Sequence, residues 1–283
     1  MSVTFIRAIR DAGIPIDDGI VADGYLHRVH VDGDKAGTKN AWYVLHSGDF
    51  PAGAFGCNKR GISGKWRANG KREPLTQQAR SHIDADRKAR AVAQERGYSD
   101  AAERAERIFQ QATRDASEHA YVVRKGVQPN GVKMNEHGLL VVPIFSAFTG
   151  KLQSLQFISG DGSKRMLKGG RVSGGCYPFS DVPNFWANAK RKIGLGEGLA
   201  TCATLAESLH TVAMFTAFSA GNLGSVAAAL RAHFPDAEIT IYGDNDTNGV
   251  GKRYASAAAM AVAGFVAIPP IAGRDWNDMR GGT

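Results

Sequence analysis

The period of apolar and polar positions changes several times along this chain, and each change marks a different kind of element. Phe5, Ile6 and Ile9 share one face at helical spacing and Gly13 offers a C-cap, which predicts a short amphipathic helix. From residue 20 to 70, turn signals recur at Asp23-Gly24, Asp32-Gly33, Ser47-Gly48 and Asn69-Gly70. The runs between them, Leu26 to Val31, Ala41 to His46 and Ala54 to Gly56, predict a small antiparallel module of hairpins. Residues 75 to about 120 are rich in Ala, Arg, Gln and Glu, with a thin apolar stripe of Ile83, Val92, Ile108 and Phe109. That texture predicts two exposed connector helices, broken at Gly97-Tyr98-Ser99.

Strand signals then return. Gly138 to Phe145 and Leu152 to Ile158, joined at Thr149-Gly150, predict a strong hairpin. Beyond residue 190 the pattern alternates. Lys192 to Gly196, Thr211 to Phe218, Glu238 to Tyr242 and Gly264 to Ile268 read as strands. Leu199 to Leu209, a helix capped by Asn222 and stopped before Pro235, and Val250 to Ala263 read as the helices between them. Right-handed crossovers make a parallel sheet with helices on both faces the expected outcome. The expected class is α/β, or α+β overall. It has four parts: a β-rich module at 1–74, a helical connector at 75–120, a basic lobe at 121–188 and a parallel-sheet domain at 189–283.

The chemistry falls at strand ends. Ile239-Thr240-Ile241-Tyr242 runs into Gly243-Asp244-Asn245-Asp246, and Lys192 to Gly196 runs into Glu197. Carboxyl ends of parallel strands are where α/β proteins place ligands. Glu197, Asp244 and Asp246 would therefore meet on one rim although 47 positions separate the first two. Clustered carboxylates repel unless a cation joins them, and Mg²⁺ is held by one or two carboxylates with water and phosphate completing its octahedron. Asp275 and Asp278, after the last strand, offer further ligands. A lone Asp-x-Asp is most often an ordinary turn; it is the set that points to a metal.

Charge adds a partner. Lys and Arg number 35 against 27 Asp and Glu, for a net charge of +8, which suits a polyanion. Lys59, Arg60, Lys65, Arg67, Lys71 and Arg72 gather near Phe55 and Trp66, a mixture that suits single-stranded nucleic acid. Lys164, Arg165, Lys168 and Arg171 bring four cations together among glycines that would let a phosphate backbone approach, and Lys252 follows the Asp-x-Asp turn. In each case a solvated basic loop is the plainer alternative. Cys57, Cys176 and Cys202 are isolated, so no zinc ribbon is expected. With no signal-peptide apolar region and no run of 18 apolar residues, no membrane contact and a cytoplasmic location are expected.

Gly196-Glu197-Gly198, Ser219-Ala220-Gly221-Asn222-Leu223, Gly243-Asp244-Asn245-Asp246-Thr247-Asn248-Gly249 and Asp275-Trp276-Asn277-Asp278 together resemble a TOPRIM domain over about residues 190 to 279. The likeness is strongest to phage- and plasmid-encoded primases of the bacterial type. Their catalytic core is echoed more faintly in His119 to Val127 and in the 138–180 region. The resemblance implies a DNA primase: a nucleotidyltransferase using Mg²⁺, or Mn²⁺ in its place, to make short primers on single-stranded DNA from nucleoside triphosphates. A replicative helicase is a further candidate partner. Glu197, Asp244 and Asp246 would be the catalytic carboxylates, with Asp278 or Asp275 completing the acidic set. Two other functions stay open, a Mg²⁺-dependent nuclease and a non-catalytic replication module. The chain departs from the family's pattern in lacking ribbon cysteines, and it carries no Gly-x-x-x-x-Gly-Lys-Ser/Thr sequence.

Overall fold

The computed structural model describes residues 2–17, 19–48, 51–68, 77–179, 192–247 and 249–280, so the expected turn at Asn69-Gly70 and the cations Lys71 and Arg72 lie outside the described residues. The chain divides into two compact units, Met1–His82 and Ile83–Thr283.

In the first unit, α1 (Ser2–Asp11) packs on a four-stranded antiparallel sheet in chain order. Its strands are β1 (His27–Val29), β2 (Ala41–His46), β3 (Ala52–Cys57) and β4 (Ile62–Arg67). Alternation decides the inner face: Tyr43, Leu45, Phe55 and Cys57 are buried against Phe5, Ile9, Ile14 and Ile16. Strand β4, with Ser63 and Gly64 inside it, is silent in the sequence pattern, yet every residue of it pairs with β3.

The connector differs from its expectation. A single helix, α2 (Gln77–Gln111), runs through Gly97 without a break. One interior glycine costs a helix only about 1 kcal/mol, and the Ala, Arg, Gln and Glu on either side carry it through. The far half of α2 sets Ala105, Ile108 and Phe109, with Ala112 just beyond its end, against Val141, Leu155 and Phe157.

The remainder of the second unit is built on one nine-stranded mixed sheet. First come the short helix α3 (Ala120–Lys125) and the strands β5 (Lys133–Met134), β6 (Leu140–Ser146), β7 (Leu152–Ile158), β8 (Lys164–Met166) and β9 (Gly175–Pro178). There follow β10 (Lys192–Gly196), α4 (Leu199–Ser208), β11 (Ala213–Thr216), α5 (Leu223–His233), β12 (Glu238–Tyr242), α6 (Val250–Ala261) and β13 (Phe265–Ala267). The strand order is β13-β12-β10-β11-β9-β6-β7-β8, with β5 paired to β6. The last four strands are mutually parallel, as their crossovers predict. Helices α5 and α6 cover one face around Ile193, Phe215, Ile239 and Ile241, and α4 lies on the other beside Met214.

The seam between the parallel strands and the hairpins is β9, which pairs antiparallel with β11 on one side and β6 on the other. A buried asparagine reinforces it. The Asn222 side-chain amide donates to the carbonyls of Ala217 (2.8 Å), Gly175 (2.9 Å) and Val172 (3.2 Å), and its oxygen accepts from the Gly174 N–H (2.8 Å). Asn222 does stand at the start of α5, as the sequence suggests, but its side chain makes no cap hydrogen bond there. It closes the turn after β11 onto the strand β9 instead.

Candidate metal and nucleic-acid site

Register places the carboxylates. Gly196 of β10 lies opposite Tyr242 of β12 in a parallel pair, and neighbouring strands run about 4.8 Å apart. Glu197 and the Gly243-Asp244 step therefore leave the sheet side by side. Around Glu197 the chain is tied down. The Ala217 N–H donates to the Gly196 carbonyl (2.8 Å), and the Thr216 hydroxyl donates to the Glu197 carbonyl (2.7 Å). Phe218 takes up a left-handed φ of 66°, a costly conformation for a bulky residue. The turn that follows aims the Ala220 N–H at the Glu197 carboxylate.

The Asp-x-Asp turn is held by its neighbours. The Gly251 N–H, at the start of α6, donates to both oxygens of Asp246 (3.3 and 3.1 Å). A Cβ at Gly251 would stand 2.8 Å from the Asp244 carbonyl oxygen, so only glycine lets the helix approach this closely. Asn245 donates from its side chain to the Pro269 carbonyl (2.8 Å), and its backbone exchanges hydrogen bonds with Arg274 and Gly273. These bonds pin the loop that carries Asp275 against the turn that carries Asp244. Asp275 and Asp278 each accept the other's backbone N–H (2.9 and 3.2 Å).

The electrostatics single out Asp244. Its Oδ1 is buried and has no hydrogen-bond partner. Burial first, then the charges of Glu197, Asp275 and Asp246, push its carboxyl from 3.8 up to about 6, against a smaller pull from Lys164. Burial likewise raises the Glu197 carboxyl, while the Ala220 N–H and Lys164 act to lower it. Lys164 reaches this group from β8. Desolvation by the surrounding protein first, and then the Lys125 charge, lower the pKa of its ammonium, with Glu197, Asp244 and Asp275 opposing that shift. Asp275 also pairs with Lys125 (3.8 Å). Of the two late aspartates, Asp275 is the one whose charge is felt at Asp244.

Among the described residues no three His, Cys, Asp or Glu side chains form a ready-made metal cage. The donor set nevertheless fits a hard cation. It consists of carboxylates, one of them has a buried oxygen with no partner, and neighbouring like charges help raise the pKa of Asp244 and Glu197. Glu197, Asp244 and Asp246 would hold it, with Asp275 beside them.

One stability prediction follows from Asp244. Its folded pKa lies above its unfolded one, so the fold binds a proton in the window from about 4 to about 6 and loses stability as pH rises through that window. Asp244→Asn should therefore be more stable than wild type at pH 7 without divalent metal, by about 1–2 kcal/mol after solvent screening, and equal to it near pH 4. Urea melts at the two pH values measure this; equal stability at pH 7 would show that Asp244 carries no such burden.

The other expected contacts divide. Trp66 points inward, its ring 5.3 Å from that of Phe5, and so is not available to a base. Lys59 (2.8 Å) and Arg60 (3.3 Å) are bound to Asp34, whose side chain is 2% exposed. Lys65 is exposed on β4. Arg171 pairs with Glu95 and lies over the Tyr98 ring (4.5 Å), whereas Arg165 and Lys168 remain exposed and Lys252 lies exposed on α6. The expectation of four cations acting as a group thus narrows at the carboxylates to Lys164. Sequence reasoning did not single out Arg124, Lys125 and Arg280, which line a cleft with Gly126, Asn277 and Asp278. Asn277 fixes that cleft by donating to the Lys125 carbonyl (2.8 Å) and the Thr204 hydroxyl (2.9 Å). The Arg124-Lys125 pair at the end of α3 was a visible basic signal, but nothing local tied it to residues 150 positions later.

Residues 192–283 match the family model of the Toprim domain, close to the span expected from the sequence. The chain is 36% identical over 282 residues to a DNA primase TraC of Escherichia coli, an alignment covering 95% of this chain and 26% of that protein. A second Escherichia coli DNA primase TraC is 33% identical over 284 residues, 95% of this chain and 19% of its own length. The chain thus spans about a quarter or less of these relatives. The primase fragment of the bacteriophage T7 primase-helicase protein aligns with 56% of this chain and 67% of its own at a TM-score of 0.41 and 16% identity.

Proposed function

We propose that this chain, whose residues 192–283 are a Toprim domain, is the catalytic core of a DNA primase that joins nucleotides on a single-stranded DNA template. The observation that carries the reading is the rim where Glu197, Asp244 and Asp275 share one electrostatic field with Lys164 of the hairpin lobe. The similarity to DNA primase TraC over 95% of the chain supports it.

In this reading Glu197, Asp244 and Asp246 hold divalent metal, Mg²⁺ or Mn²⁺. When bound, that metal would activate the primer hydroxyl and stabilise charge on the triphosphate. The chain's own residues do the rest. The Gly251 N–H orients Asp246, and the Ala220 N–H orients Glu197. Lys164 offsets the carboxylates and then presents its ammonium to phosphate. Arg124 supplies a cation in the adjoining cleft, beside Lys125 and Arg280, which are paired with Asp275 (3.8 Å) and Glu207 (2.9 Å) and would exchange those partners for the bulk of a triphosphate.

Incorporation of labelled nucleotide on single-stranded DNA with Mg²⁺ tests the reading. No incorporation under any divalent metal, together with cutting of the template when no nucleotide is added, would replace it with a nuclease.

A further inference from the structure

We propose that the outward face of the β1–β4 sheet binds single-stranded DNA, with Trp42 as the stacking platform and Arg28, Lys65 and Arg67 as the phosphate contacts. The choice of DNA over RNA rests on the primase reading; the face itself rests on geometry.

Register defines the face. Helix α1 and the core residues occupy one side of the sheet. On the other side, three rows run across the strands: Arg28-Trp42-Gly56-Ser63, Val44-Ala54-Lys65 and His46-Ala52-Arg67. Direct cross-strand neighbours stand about 5 Å apart and alternate residues of one strand about 7 Å apart. The face is therefore a compact patch on which Trp42 is bracketed by cations. Arg28, Lys65 and Arg67 are exposed and Trp42 is half-buried.

The Trp42 ring lies over its cross-strand neighbour Gly56. A Cβ at Gly56, its cross-strand partner, would come within 2.9 Å of the indole carbons Cε2 and Cζ2. The indole packs against the glycine, and the small neighbours Ala52 and Ala54 keep the surface around it low. A flat aromatic on an open sheet, ringed by cations, is the arrangement on which a nucleic-acid strand stacks its bases and lays its phosphates.

The charge is of one sign. None of the outward positions in these rows is Asp or Glu. Asp23, bridged to His46 at the corner, turns its carboxylate to the His27 ring (2.9 Å). Lys59 and Arg60 are committed to Asp34. The three cations of the face contrast with them: none has a carboxylate partner among the described residues, which leaves all three for phosphate.

The test uses the full chain and a fluorescein-labelled oligodeoxynucleotide of roughly 20 nucleotides, long enough to cover one binding site, followed by anisotropy without nucleotide or metal. Arg28→Ala/Lys65→Ala/Arg67→Ala should weaken binding at least about tenfold near 0.1 M salt and flatten the dependence of log affinity on log salt by about 2. Trp42→Ala should lose roughly 5- to 100-fold, while Trp42→Phe keeps most of the affinity. Should Trp42→Ala fail to fold, the charge variant decides, since its side chains are exposed. Unchanged affinity and slope in that variant would overturn the proposal. So would an oligoribonucleotide of the same length binding more tightly and losing as much. Because binding is read without synthesis, a chain that makes no primers can still show the face, and one that makes primers with unaltered template affinity in the charge variant removes the face alone.

Discussion

Replacing Asp244 and Asp246 together by alanine is expected to lower nucleotide incorporation on single-stranded DNA by at least about a thousandfold while leaving a folded protein. The two parts of this expectation have different causes. The loss follows from chemistry: with both carboxylates gone, Glu197 alone would have to hold metal against the phosphates. The retained fold follows from electrostatics. Asp244 is raised to about 6 by burial and by Glu197, Asp275 and Asp246, so its ionised form burdens the fold at neutral pH instead of supporting it. Asp246 does support the fold, through the Gly251 N–H at the start of α6; losing it should cost about 1 kcal/mol, near the gain from Asp244. The melting temperature should thus stay close to wild type in the absence of divalent metal. Adding Mg²⁺ should raise it for wild type only. Retained synthesis in the double variant would remove these carboxylates from the mechanism.

Asn222→Ala is the second large effect. It removes donors to three backbone carbonyls and the acceptor of the Gly174 N–H, all in a turn where Asn222 is 5% exposed. A buried group left unpaired costs about 1–3 kcal/mol. Several are left here, so a loss of about 3 kcal/mol is expected in urea unfolding. Asn222→Leu, which keeps the volume but no hydrogen bonds, should be as damaging, and Asn222→Asp worse, because it sets a carboxylate against three carbonyl oxygens. If the leucine variant stays within about 0.5 kcal/mol of wild type, the amide is not what holds this seam. Activity should fall too, because the same turn carries the Ala220 N–H that steadies Glu197.

Asn222 also shows where sequence reading reaches its limit. Its position before an apolar helix reads as a cap; three of its four actual partners lie 47 to 50 positions back in the chain. No local pattern announces β9 either, since Gly175-Cys176-Tyr177-Pro178 looks like a loop and becomes a strand only between β6 and β11. The rim was legible for the opposite reason. Ile239 to Tyr242 and Lys192 to Gly196 are strands by local preference, and parallel pairing brings Glu197 beside Asp244 without further information. In the N-terminal unit the basic and aromatic composition was visible, but not which side each residue takes. Trp66 and Trp42 look equivalent in a list. Pairing with Gly53 turns Trp66 toward the core, and pairing with Gly56 turns Trp42 outward.

The seam at β9 bears on how the molecule can be taken apart. A cut anywhere between β9 and β10, between the hairpins and the parallel strands, divides one continuous sheet. The C-terminal fragment would present β11 as a bare edge, its N–H and carbonyl groups open to any passing strand. Such a fragment should self-associate, and mixing it with the N-terminal piece should restore solubility by returning β9 to its place.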